Sequence, residues 1–383
     1  FKQFWSSGID TTLSTARLGL ANSLAGIVVV FVAPVLGAIA DRGTSKRKFL
    51  LFFAYLGAAT TTCLYFVERG NWLSAVLVFM IASIAFSGGN IFYDALITVV
   101  ASEKKLDFIS SLGFSLGYLG GGILFAVNVW MTLRPETFGF ADSAEAVRFS
   151  FVSVGVWWAI FSIPLILFVR ELESEKAVVG FKAIKEGIAQ LRATFKEIRH
   201  LKPICLFLAA YWLYIDGVDT IIRMAVAYGI SIGFEANDLI VALLITQFVG
   251  FPFAIGFGLL GKRIGARPAI FLAIFVYLFV SIWGAFIQTK GEFYTLAVLI
   301  GMVQGGIQAL SRSYYAKLIP LDKSAEYFGF YNMIGKVAAV IGPALVASLG
   351  LFIRDIGYSS DVASRASISS VALLFLAGGC LLY

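Results

Sequence analysis

Gly37-Ala38-Ile39-Ala40-Asp41-Arg42 closes an apolar run that begins near residue 18, and Lys46, Arg47 and Lys48 follow at once. The same design returns further along the chain, where Gly258-Leu259-Leu260-Gly261-Lys262-Arg263 closes another apolar run and Arg267 follows. A second match keeps the register. Gly88-Gly89 leads to Gly113-Phe114, and Gly305-Gly306 leads in the same way to Gly329-Phe330. Two matches in one order and at nearly one spacing identify duplicated halves that run in the same direction. Parallel repeats of membrane spans are a recurrent way to build a membrane protein around a central axis.

Composition agrees with a lipid solvent. The chain is 59% hydrophobic and 14% charged, whereas a soluble domain is about half apolar and about a quarter charged. A bilayer core needs about 20 apolar residues per helix. Eleven such spans are expected, near 18–40, 49–67, 73–100, 108–132, 148–169, 201–229, 238–260, 269–287, 292–318, 325–352 and 366–383.

The net charge of +7 resembles a nucleic-acid signal until the charges are placed. Twenty Lys and Arg fall in one alternating set of loops and seven in the other. The richer set is expected on the cytoplasmic side, and nucleic-acid binding is excluded. This orientation puts Phe1 outside. The chain starts and stops in stretches that read as trimmed, so one span is expected ahead of Phe1, completing twelve. Residues 170–200 form the one long polar stretch. Phe181, Ile184, Ile188, Leu191, Phe195 and Ile198 recur there at helical spacing, so an amphipathic linker helix is expected. The domain expectation is therefore an N-terminal transmembrane lobe 1–169, a cytoplasmic linker 170–200 and a C-terminal transmembrane lobe 201–383.

Cys63, Cys205 and Cys380 are isolated, and the lone His200 lies in the linker. No metal or disulfide spacing is present, and no Gly-rich phosphate loop. No catalytic residue, metal or cofactor is expected.

Ionisable groups inside spans are costly and usually face a cavity or a partner. Asp216, Asp219 and Arg223 share one helix face at i, i+3 and i+7. They read as a substrate or proton site, or as a structural ion pair with Asp216 beside it. Lys336 sits mid-span, with Asn332 one turn earlier; a lysine there needs an acid or an anionic ligand. Asn90 and Asp94 share a face of one span; Gln304, Gln308 and Arg312 share a face of its counterpart. The repeat sets Asp94 beside the Ser311/Arg312 position. An inner gate closed by Asp94 and Arg312 is expected, against the alternative that Arg312 snorkels to phosphates.

The segment Gly37-x-x-x-Asp41-Arg42-x-x-x-Lys46-Arg47 resembles the loop between spans 2 and 3 of the major facilitator superfamily. Three further stretches are similar to its autophagy-related vacuolar effluxer branch: Leu213-Tyr214-Ile215-Asp216-Gly217-Val218-Asp219-Thr220-Ile221-Ile222, Gly305-Gly306-Ile307-Gln308-Ala309-Leu310-Ser311-Arg312-Ser313, and Gly113 through Gly122. The resemblance covers nearly the whole chain. It implies an all-α major facilitator fold of two six-helix lobes, the first helix absent from this chain, and a central site lined by the first and fourth spans of each lobe. It also implies that Asp41, Arg42 and Arg263 latch helix ends mechanically. Lys262 stands where an Asp is common, which departs from the pattern.

The expected function is secondary active transport by alternating access. The expected cargo is an amino acid or similar zwitterion, exported and proton-coupled; a metal chelate, a drug or a lysolipid is the alternative cargo. An integral membrane enzyme or lipid scramblase is the rival class, and the sequence offers it no nucleophile or metal site. The expected partners are a small-molecule substrate and the bilayer, with the chain a monomer, in a bacterial plasma membrane or, for a eukaryotic chain, a vacuolar one.

Overall fold

The structure is a computed structural model and describes residues 4–6, 11–42, 46–169, 194 and 201–383. The linker expected at 170–200, with His200, lies outside the described residues apart from Thr194. Every regular element among the described residues is a helix. Lipid offers a backbone no hydrogen bonds, so a spanning segment must satisfy its own.

The first half holds α1 (Thr11–Arg42), α2 (Lys46–Cys63), α3 (Trp72–Val100), α4 (Leu106–Leu133) and α5 (Ser143–Phe168). The second half holds α6 (Lys202–Ser231), α7 (Ala236–Ile264), α8 (Ala266–Gly284), α9 (Lys290–Leu318), α10 (Ser324–Asp355), α11 (Ser360–Ser369) and α12 (Ala372–Leu382). Eleven segments of the described residues are long and apolar enough to cross a membrane, from Arg17–Asp41 to Asp361–Leu382.

The last of these is not one continuous helix, as the apolar run 366–383 predicts. It starts earlier and breaks between α11 and α12. Serines crowd the break. Ser367, Ser369 and Ser370 each turn a hydroxyl back onto a carbonyl three or four residues behind, which competes with the helical ladder.

The repeat is visible in the helices. The start of α9 at Lys290 follows the start of α3 at Trp72 by the same interval that separates the start of α10 at Ser324 from the start of α4 at Leu106. Neighbours repeat too: α3 packs on α1 and α2, and α2 on α5, while α9 packs on α7 and α8, and α8 on α12.

The described helices gather into two compact units. Unit 1 comprises Phe1–Val100, Ile123–Thr194 and Pro320–Met333; unit 2 comprises Ala101–Gly122, Phe195–Ile319 and Ile334–Tyr383. Each unit therefore holds one helix start from the opposite half of the sequence. The start of α10 lies in unit 1 with α1, and the first part of α4 lies in unit 2 with α7 and α9.

Small residues make these insertions possible. In unit 2 the Tyr118 ring of α4 fills a notch over Gly250 and Gly305, where β-carbons would stand 2.9 and 2.8 Å from it. In unit 1 a β-carbon at Gly329 would meet the Ala33 carbonyl oxygen at 2.8 Å.

Candidate functional site

Charged groups within the spans fall into three clusters, each inside one unit. The first lies in unit 2 between α6 and α10. Asp219 is half-buried on α6, Lys336 is half-buried on α10, and Arg223 is exposed one turn beyond Asp219. The charges of Arg223 and Lys336 both act on Asp219, yet no ion pair closes among the three. Tyr277 of α8 lies in the field of Asp219; its hydroxyl is buried and has no hydrogen-bond partner.

Asp216, one turn before Asp219, is different. It is 0% exposed. Its Oδ2 accepts the Gly342 backbone N–H of α10 at 2.8 Å, and its Oδ1 lies 3.4 Å from the Thr220 hydroxyl.

The second cluster joins α1, α3 and the start of α10 in unit 1. Asp41 accepts from the backbone N–H groups of Ala325 and Glu326 at 3.1 and 2.7 Å. These are orphan donors of a helix start, and a carboxylate there also meets the positive end of the helix dipole. Lys46 lies 3.2 Å from Asp41 and donates to Ser324 at 2.9 Å. Further along the same contact, Asn332 donates to Asp94 at 2.9 Å and to the Phe328 carbonyl at 3.0 Å. Arg42 ends α1, and its side chain lies outside the described residues.

The third cluster joins α4 to α9 in unit 2. Asp107, in the first turn of α4, accepts from Ser313 at 2.7 Å and from Lys317 at 2.7 and 2.8 Å. Arg312 is 3% exposed. It donates to the hydroxyl and the carbonyl of Ser110, both at 2.9 Å, and lies 4.7 Å over Phe114. The Ser110 hydroxyl donates in turn to the Ala309 carbonyl at 2.6 Å.

The structure thus brings Asp219, Arg223 and Lys336 into one electrostatic group and joins Asn332 to Asp94. It gives Asp94 a place in unit 1 and Arg312 a place in unit 2. Gln304 and Gln308 are half-buried on α9, and the Gln304 amide oxygen is buried without a partner. Lys262 and Arg263 are exposed at the end of α7.

Residue-by-residue reading missed Asp107, Ser110, Lys317, Thr220, Tyr277 and Gly342. Asp107 had a signal. It is the second residue of α4, as Ala325 is of α10, so the repeat that places Asp41 on the start of α10 also directs attention to the start of α4.

The family described as "Vacuole effluxer Atg22 like" matches residues 9–382. A Bacillus subtilis (strain 168) protein described as an uncharacterized MFS-type transporter, YxiO, is 39% identical to this chain over 348 residues, covering 89% of this chain and 79% of its own length. Autophagy-related protein 22 of Yarrowia lipolytica (strain CLIB 122 / E 150) is 24% identical over 85% of this chain and 69% of its own. Among solved structures, the human organic anion transporter MFSD10 is similar in fold, with a TM-score of 0.67 and 16% identity over 95% of this chain and 83% of that one.

Eleven membrane-length segments among the described residues, their repeated packing and these likenesses define a multi-pass membrane transporter of the major facilitator fold, not an enzyme. Within that class the chain belongs to the Atg22-like vacuole effluxer family.

Proposed function

We propose that this transporter exports a small zwitterion, an amino acid or a molecule like it, held between α6 and α10. The observation that carries the reading is the open charge group of Asp219, Arg223 and Lys336. A charge inside a span is costly and is normally spent on a partner. Here one acid and two bases act on one another without closing a pair, so a ligand carboxylate meets Arg223 and Lys336 while its ammonium meets Asp219. The unpartnered Tyr277 hydroxyl and Gln304 oxygen are further polar groups with hydrogen-bonding capacity to spare, though both are buried in this structure.

In this reading the clusters at the starts of α4 and α10 are clasps at the cytoplasmic side. They are closed in one state and released in the other, as alternating access requires. Proton coupling runs through a carboxylate inside a span, with buried Asp94 and half-buried Asp219 the two candidates. The 39% identity with a bacterial relative supports a bacterial plasma membrane as the setting, with the chain working as a monomer.

The test is counterflow of radiolabelled amino acids in proteoliposomes of the full-length protein. Saturable exchange that is lost in Lys336→Ala and Asp219→Asn is the expected result. Exchange of a metal chelate, a drug or a lysolipid instead, or amino-acid exchange indifferent to both substitutions, overturns the reading.

A further inference from the structure

Both oxygens of Asp216 are occupied inside the protein, and what Oδ2 holds is unusual. Gly342 stands directly before Pro343 in the interior of α10. Proline has no N–H of its own, and its ring crowds the N–H and Cβ of the residue before it. Glycine at 342 has no Cβ to crowd, and the site has no room for one. A β-carbon there would stand 2.9 Å from Asp216 Oδ1 and 3.0 Å from Thr220 Cβ, and it would collide with the Thr220 hydroxyl. Carboxylate, gap and ring therefore fit together as a joint between α6 and α10. Polar side chains are frequent partners of backbone groups next to a proline inside a membrane helix, and here the carboxylate takes the Gly342 N–H.

The joint lies at an informative place along α10. Residues up to Met333 belong to unit 1 and residues from Ile334 to unit 2. Lys336 stands in the short stretch between that change and the Gly342–Pro343 joint.

We infer that Asp216 is a positioning residue. It pins α10 to α6 at Gly342–Pro343 and so fixes where Lys336 stands relative to Asp219, without binding solute itself. This assignment takes Lys336 as a residue of the site proposed above. The pin needs an acceptor at 216, not a charge. Asparagine supplies one in nearly the same shape, and alanine supplies none. Alanine at 343 removes the ring that crowds Gly342, so Pro343→Ala should compensate for Asp216→Ala.

The experiment uses the full-length chain with Cys63, Cys205 and Cys380 replaced by serine and Lys336→Cys as the reporter. The protein is reconstituted in phosphatidylethanolamine–phosphatidylglycerol vesicles and labelled with a membrane-impermeant methanethiosulfonate reagent. Asp216→Ala is expected to change the labelling rate about tenfold, the scale of a lost charge-assisted hydrogen bond. Asp216→Asn is expected to stay within about threefold, the weaker neutral bond sufficing. Adding Pro343→Ala to Asp216→Ala should return the rate toward that of the parent.

An unchanged rate in Asp216→Ala, an Asn variant that behaves like Ala, or failure of Pro343→Ala to compensate overturns the assignment. If Asp216→Ala does not fold, Gly342→Ala reads the same joint from its other side, and an unmoved rate there overturns it equally. No amino acid enters the measurement, so failure of the proposed cargo leaves its result standing.

Discussion

Lys290 reaches Asp238 at 2.8 Å and ties the first residue of α9 to the first turn of α7. Tyr294 donates to the other oxygen of the same carboxylate at 3.1 Å. The first half ties α1 to α3 at the equivalent places by different chemistry. In the register of the repeat Arg17 answers to Asp238 and Trp72 to Lys290, and the guanidinium lies 3.8 Å over the indole. The contact persists although both residues have been exchanged.

These two ties should answer differently to salt. The Lys290 side chain is 53% exposed, so its pair with Asp238 is screened by salt and adds little. Lys290→Met should barely move the unfolding temperature of the purified protein at high ionic strength. Trp72→Ala should lower it at any ionic strength, because the packing of a half-buried ring is lost with the cation–π contact. Equal, salt-sensitive effects would show that the two ties are not what the geometry says.

Asp41 caps a helix of the opposite half through two backbone N–H groups. Asp41→Ala should cost about 1–2 kcal/mol, as loss of a helix cap does, while Asp41→Asn should keep much of the cap. Urea unfolding in mild detergent checks the order. An Asn variant as damaged as the Ala variant would assign the effect to charge rather than capping.

Lys317 and Ser313 hold Asp107 in the other clasp. Lys317→Met leaves a largely buried carboxylate short of its cation, and about 2 kcal/mol of stability should go with it. Asp107→Asn combined with Lys317→Met should recover part of that loss, because neither charge is then stranded. Strict additivity in the double-mutant cycle would rule out coupling between the two side chains.

Asp94 and Arg312 are the pair proposed to close the inner gate. Asp94→Arg and Arg312→Asp, each alone, should abolish counterflow, and the two together should restore a measurable part of it. Asn332 and Ser110, the bonded neighbours of the two residues, set how completely. Silence of the double variant, with both single variants correctly inserted in the membrane, would remove the pair from gating.

The spans were legible in the chain because lipid demands long apolar runs, and the repeat was legible because glycine pairs keep their spacing where helices must approach. Asp41 was legible as part of a local pattern. Asp107 was not, since a carboxylate next to Lys104 and Lys105 reads as a solvated loop charge, and its true partner, Lys317, is far away in the sequence. Asp216 shows a different limit. An acid in an apolar span signals expense, but its partner is a backbone N–H, and no residue letter marks which amide that is. Tyr277 was hidden for a related reason: a tyrosine in an apolar span reads as packing until its hydroxyl is seen to lack a partner.

The two clasps are wired with opposite polarity, and this bears on how the halves have aged since duplication. At the start of α10 the acid comes from the opposing helix pair, from Asp41; at the start of α4 the acid belongs to the inserted helix itself, as Asp107. In the register of the repeat Lys262 answers to Asp41, so an aspartate at 262 would be a second acid at the end of α7, whose Gly261 lies against Asp107. The halves share a scaffold, but they are not interchangeable parts: Lys317, the cation that holds Asp107, answers to Val99 in the first half, so a protein assembled from two copies of the first half would leave Asp107 without it.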